Sequence, residues 1–214
     1  MKNAYGLNIP HGLADLCNPN TTAVLIYDMQ AGIVPQIATG KAIVEGCRAL
    51  LDQARSAGFR IFYTRHISLP NKSSGVAQLR RAMIWQRKDD ATQTNPYFLP
   101  ASQAAQIVPE LKPHEDDVVI DKIAMSSFEG TYLDTALRDL GILAFVVAGI
   151  ALEIGIEPTV RHALDLNYMP IVISDLCGSR TPELHAHSIE TLKETSEVFV
   201  ISSQEWSEIL NART

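Results

Sequence analysis

Short apolar runs alternate with longer amphipathic segments along most of this chain. Thr22-Ala23-Val24-Leu25-Ile26-Tyr27 is almost wholly apolar and rich in β-branched residues, the composition of a strand buried on both faces. Comparable runs at Arg60–Thr64, Asp117–Ile120, Leu143–Ala148, Met169–Ser174 and Val198–Ile201 predict five further strands. Between the first two, Ile43, Cys47, Leu50, Leu51 and Ala54 recur at helical spacing within Ala42–Ala57, and Gly58 ends the pattern. Helices are also predicted over Thr131–Leu140, Pro158–Leu166, Pro182–Thr195 and Ser203–Asn211. Strands that alternate with helices predict an α/β fold, a mostly parallel sheet covered by helices.

The stretch Ser68–Pro113 departs from this rhythm. It carries five prolines and weak periodicity, so it reads as a long excursion over the sheet edge, with a helix near Val76–Trp85 and a loop that walls a pocket. No repeat or low-complexity tract interrupts the chain, and 214 residues fit one domain. Apolar residues make up 46% and charged residues 20%, the balance of a protein with a full core. The net charge of −6 and the lack of a Lys/Arg cluster argue against nucleic acid and against anionic membrane surfaces as partners. No apolar run approaches the roughly 20 residues that span a bilayer. Met1–Leu7 lacks a signal-peptide core, and the scattered Cys17, Cys47 and Cys177 form no disulfide framework. A reduced, cytoplasmic protein is expected.

Ligands bind open α/β sheets outside the carboxyl ends of the strands, so polar residues that follow strands are candidates for a site. Asp28 follows the first predicted strand, Arg65 and His66 the second, Lys122 the third and Asp175 the fifth. A carboxylate at the end of an apolar strand is costly unless paired, and a nearby lysine supplies the partner. Taken singly, Asp28 also fits a turn cap and Lys122 a solvated strand end. Gly155 lies in Gly149-Ile150-Ala151-Leu152-Glu153-Ile154-Gly155-Ile156-Glu157-Pro158-Thr159, where strand passes into helix and Pro158 suits the first turn. Unpaired backbone N–H groups are expected there, directed at a ligand. A cysteine in such a place is an activated nucleophile; a glycine has none to offer.

These residues carry a resemblance. Ala23–Gln30, Lys122–Leu133, Val147–Thr159 with Ala163, and Ile173-Ser174-Asp175 are similar, in order and spacing, to the motifs of the isochorismatase-like hydrolases of the cysteine hydrolase superfamily. The resemblance spans Thr21 to Leu210. It implies a three-layer α/β/α architecture with a six-stranded, Rossmann-like parallel sheet, assembled as a homodimer or homotetramer. It implies a catalytic Asp–Lys–Cys set whose members fall on Asp28, Lys122 and Gly155, the glycine standing where most of the family has its nucleophile. It also implies a cis peptide at Ile150–Ala151 beside an oxyanion hole. True isochorismatases share a glycine at that position and cleave a vinyl ether without a covalent intermediate.

The expected activity is therefore hydrolysis of a small, carboxylate-bearing metabolite by non-covalent chemistry of Asp28 and Lys122. Asp28 would be a general acid for a vinyl ether or a general base for an amide. Backbone N–H groups near Ile150, Ala151 and Gly155 would hold a substrate oxygen. Arg65, His66 and Arg87 are candidates for binding its carboxylate, and Tyr27 and Trp85 for flanking a ring. No cofactor is implied, and no metal: His66 lacks an Asp-x-His neighbour, and His185 and His187 point to different faces of a helix. The alternatives are a non-catalytic small-molecule binder and a C–N hydrolase whose catalytic cysteine has been replaced.

Overall fold

The computed structural model of the chain describes residues 1–195 and 197–212. A small antiparallel hairpin comes first, β1 (Lys2–Ala4) with β2 (Leu7–Ile9), followed by the short helix α1 (Leu13–Leu16). Neither was foreseen, because β1 and β2 are largely exposed and carry no buried periodicity. The six expected strands follow as β3 (Thr22–Tyr27), β4 (Arg60–His66), β5 (Val118–Lys122), β6 (Ala144–Ile150), β7 (Met169–Gly178) and β8 (Phe199–Ile201). They form one parallel sheet in the order β5-β4-β3-β6-β7-β8.

Helices cover both faces. The first face carries α2 (Gly40–Ser56) and α7 (Ser203–Asn211) over Val24, Ile26, Val146 and Ile171. The second carries α4 (Leu133–Asp139), α5 (Glu157–Asp165) and α6 (Pro182–Glu194) over Ala23, Leu25, Tyr27 and Val147. Within β3 the side chains alternate between the two cores although every residue is buried, as the pleat requires. Each large aliphatic side chain so buried contributes about 1.5–3 kcal/mol.

Local chemistry accounts for the element ends. Gly58, at φ +81°, follows α2 and turns the chain back, its N–H donating to Arg55 O. Ser202 and Glu205 form a capping box on α7, and Thr181 caps α6 ahead of Pro182. In the excursion, α3 spans Val76–Gln86, and the rest is irregular apart from single 3-10 turns. The excursion is tied back beside β3 by an isolated Gln30–Ile107 bridge and by Ala31 and Gly32 N–H bonds to Gln106 O and Ala104 O.

Candidate active site

Strand order reverses between β3 and β6, and their carboxyl ends open the crevice in which such sheets bind ligands. Asp28 leaves β3 at φ +45°, a left-handed backbone that Asp tolerates better than most residues. Its side chain is 6% exposed and meets Lys122, with Nζ 2.7 Å from Oδ2. Thr64 Oγ1 donates to the other oxygen, Oδ1, at 2.7 Å and itself accepts the Asp28 N–H at 3.3 Å. Both carboxylate oxygens are therefore acceptors.

Lys122 Nζ also donates to Tyr27 Oη at 2.8 Å and to Ala124 O at 3.3 Å. All three ammonium hydrogens are thus committed within the protein. Burial lowers the lysine pKa, and the charge of Asp28 opposes that shift. Tyr27 Oη donates in turn to Met125 O at 2.5 Å. Burial first, and the Asp28 charge second, hold this phenol well above its ordinary range, so it stays protonated.

Gly155 sits in a π-helical turn, Leu152–Ile156, that runs into α5. Its N–H was expected to be free for a ligand; instead it donates to Ala151 O at 3.0 Å, as does the Ile156 N–H at 3.1 Å. The cause is that the helix starts earlier than Pro158, so position 155 already lies inside a hydrogen-bonded turn. A Cβ on Gly155 would stand 1.8 Å from Tyr27 Oη and 2.4 Å from Tyr27 Cζ. The phenol fills the space that any side chain at 155 needs. The Ile150–Ala151 peptide is cis.

A cavity of about 720 Å³ opens over these groups, with Tyr27, Asp28, Ile150, Ala151 and Gly155 on its lining. The excursion supplies much of the facing wall, including Trp85, Arg87 and Phe98. His66 lies between them, its ring 6.1 Å from both Trp85 and Phe98. Burial lowers the His66 pKa to about 4, so the imidazole is neutral near pH 7 and holds no carboxylate by charge. Buried Gln30 holds the main chain at His66, accepting the backbone N–H at 2.7 Å and donating to His66 O and Ala105 O at 2.9 Å.

Two strand-end residues do not join the site. Arg65 pairs with Asp121 through Nε–Oδ1 at 2.7 Å and Nη2–Oδ2 at 2.9 Å, and it reaches Gln106 rather than the cavity. Strand β4 continues through His66, so alternation sends Thr64 and His66 to the site face and Arg65 to the other. Asp175 lies within the lengthened β7 and caps α7 through Ser203 N and Oγ at 2.8 and 2.6 Å. The cationic cavity residues that position in the sequence did not single out are Arg81, set 5.9 Å over Trp85, and Arg180, paired with Glu153 at 3.4 Å. Among the described residues, no group of three or more His, Cys, Asp or Glu is placed to hold a metal. Cys17, Cys47 and Cys177 are buried, and burial raises the thiol pKa of Cys47 to about 12 and of Cys177 still further.

The family model described as the isochorismatase domain matches residues 22–205. The chain belongs to the isochorismatase family. It is 33% identical over 166 residues to YwoC of Bacillus subtilis (strain 168), an uncharacterised isochorismatase family protein, covering 77% of this chain and 81% of that one. It is 26% identical over 192 residues to ureidoacrylate amidohydrolase RutB of Acinetobacter baylyi, covering 82% and 78%. A cysteine hydrolase from Pseudomonas syringae pv. phaseolicola shares the fold, with a TM-score of 0.80 at 23% identity over 93% of this chain and 96% of that one. The family is one of hydrolases, and in this member the space above Gly155 holds a phenol.

Proposed function

We propose that this chain hydrolyses a small, carboxylate-bearing metabolite by activating water directly, with Asp28 as general base and no covalent enzyme intermediate. One observation carries the reading. Both Asp28 oxygens already accept hydrogen bonds, from Lys122 and Thr64, on the lining of a cavity in which residue 155 offers no nucleophile. A carboxylate held in that way takes a proton from water. The Lys122 ammonium 2.7 Å away pairs with the carboxylate, the form that a base needs, whereas protonating a vinyl carbon needs the carboxylic acid. The arrangement favours hydrolysis of a C–N bond, as in an amide or ureide, over cleavage of a vinyl ether.

Water held by Asp28 attacks the substrate carbonyl, and Gly155, which we take to stand at the family's cysteine position, forms no acyl-enzyme. Lys122 fixes Asp28 and does not touch the substrate, because its three donors are used. The N–H groups that open the turn at Leu152–Ile154 precede its first internally bonded N–H, that of Gly155, and are the donors left for the developing oxyanion. Arg81, Arg87 and Arg180 supply positive charge for the substrate carboxylate. A relative named for ureidoacrylate, itself a carboxylate with a ureide C–N bond, supports this substrate class. The chain is expected to work as a homodimer or homotetramer, without metal or cofactor and without nucleic-acid or membrane partners.

The test is a panel of small amides and ureides bearing a carboxylate, run beside a vinyl ether and read by release of amine or pyruvate. Turnover of a C–N substrate, lost in Asp28→Ala and untouched by a thiol-alkylating reagent, is the expected result. A chain that binds members of the panel and turns over none is a binding protein, and one that cleaves only the vinyl ether uses Asp28 as an acid.

A further inference from the structure

The proposed reaction leaves one requirement unmet, a proton for the departing nitrogen, and Asp28 is occupied as the base. We propose that Tyr27 is the catalytic residue that supplies it, its hydroxyl acting on the substrate from the space above Gly155. This rests on the reading of the site as a C–N hydrolase. Three observations place the hydroxyl in that role. Tyr27 lines the cavity beside Asp28 and Gly155. Its Oη lies 1.8 Å from where a Gly155 Cβ would be, the spot from which a residue-155 side chain would reach the substrate. Lys122 Nζ touches both Tyr27 Oη, at 2.8 Å, and Asp28 Oδ2, at 2.7 Å, so one ammonium links the base to the acid.

The proton balance closes within these three residues. Asp28 takes a proton from water as the oxygen bonds to the carbonyl carbon. When the tetrahedral intermediate collapses, the C–N bond breaks and the Tyr27 hydroxyl passes its proton to the nitrogen. At rest that proton points at Met125 O. The Lys122 ammonium then reprotonates the phenolate, and Asp28 returns the proton taken from water to the Lys122 amine. Water and amide become acid and amine, and every residue is restored. Burial raises Tyr27 and lowers Lys122, so the return step runs from the stronger acid to the stronger base.

The test compares the unmodified chain with Tyr27→Phe on amides of one carboxylate-bearing acyl group whose leaving amines run from an alkylamine to 4-nitroaniline. A leaving group that departs without protonation needs no acid. The expected result is a fall in kcat of about 10²–10³-fold on the alkylamide, the scale of general acid catalysis. That loss should shrink toward nothing on the nitroanilide, with KM little changed. A loss equal across the series assigns Tyr27 to holding Lys122 and Asp28 in place, and no loss removes it from the reaction; either overturns the proposal while the hydrolase reading stands. If the unmodified chain turns over no amide in the series, both readings fail together. Should Tyr27→Phe fold poorly by circular dichroism, 3,5-difluorotyrosine at position 27 keeps the ring and hydroxyl but makes the phenol more acidic. The dependence of its rate on leaving-group basicity must then differ from that of tyrosine, and an unchanged dependence overturns the proposal.

Discussion

Tyr27 and Gly155 occupy one volume, and a four-protein stability cycle measures that directly. In Gly155→Ala the new methyl carbon falls 1.8 Å from Tyr27 Oη and 2.4 Å from Cζ, so the phenol must leave its place. Leaving breaks the bond from Lys122 and the bond to Met125 O. Hydrogen bonds to a charged group are worth about 1.5–3 kcal/mol and neutral ones about 1 kcal/mol, so the substitution should cost about 3–4 kcal/mol. Tyr27→Val removes the same two bonds and empties a buried ring's volume, a loss of about 3–5 kcal/mol. In the double variant the methyl enters space that the ring no longer fills. The steric cost should then vanish, leaving a coupling of about 3–4 kcal/mol between the two sites, the whole of the Gly155→Ala loss. Urea unfolding at one pH, followed by circular dichroism with equal slopes for all four proteins, supplies the four free energies. Losses that add within about 0.5 kcal/mol would refute the shared volume, since independent sites behave in that way. The same geometry means that Gly155→Cys alone cannot seat a thiol, and the cysteine requires Tyr27→Val beside it.

The buried ion pair gives a second expectation. Lys122→Met should destabilise by about 3–5 kcal/mol because it strands the Asp28 charge, and adding Asp28→Asn should recover part of that loss in the same unfolding assay. His66 gives a pH dependence. Its folded pKa of about 4 lies below the ordinary 6.5, so the unfolded chain binds more protons between these values and stability falls as pH drops from 6.5 toward 4. The loss amounts to about 3 kcal/mol at most, and His66→Gln should remove that part of the pH slope. For substrate binding, Arg81→Ala and Arg87→Ala should each raise KM for a carboxylate substrate about tenfold or more with kcat little changed, the cost of a lost charged hydrogen bond. Arg65→Ala should leave KM alone, because that guanidinium is held by Asp121 outside the cavity.

How much of this was legible depends on how far each signal is local. The bounds of β3 match the expected Thr22–Tyr27, because a fully buried, β-branched run between polar ends admits one reading. Strands β4 and β5 run further than composition suggested, since His66 and Lys122 pair in the ladder although both are polar. That extension is what misplaced Arg65. Had the strand been drawn through His66, alternation alone would have turned Arg65 away from Thr64. The Asp28–Lys122 pair was readable because a buried carboxylate demands a partner and both residues end strands. The commitment of all three lysine hydrogens was not, since Ala124 O and Tyr27 Oη are not visible in a pattern of residue types. The wall built by the excursion was expected as a wall, but Arg81 as a contributor to it follows from the way α3 packs, with its Trp85 against His66 and its Arg81 over Trp85.

The contact between Tyr27 and Gly155 joins the end of β3 to the helix start after β6, and those two strands are neighbours in the sheet. Parallel pairing sets Tyr27 opposite Gly149 and so brings both carboxyl ends to one edge of the cavity. Two chain segments thus compete for a single position beside Asp28: a side chain rising from 155, or one reaching over from 27. A side chain at 155 large enough to be a nucleophile excludes the phenol, and the phenol excludes the nucleophile. A glycine at 155 is required for a tyrosine at 27 to reach Lys122 and the cavity together.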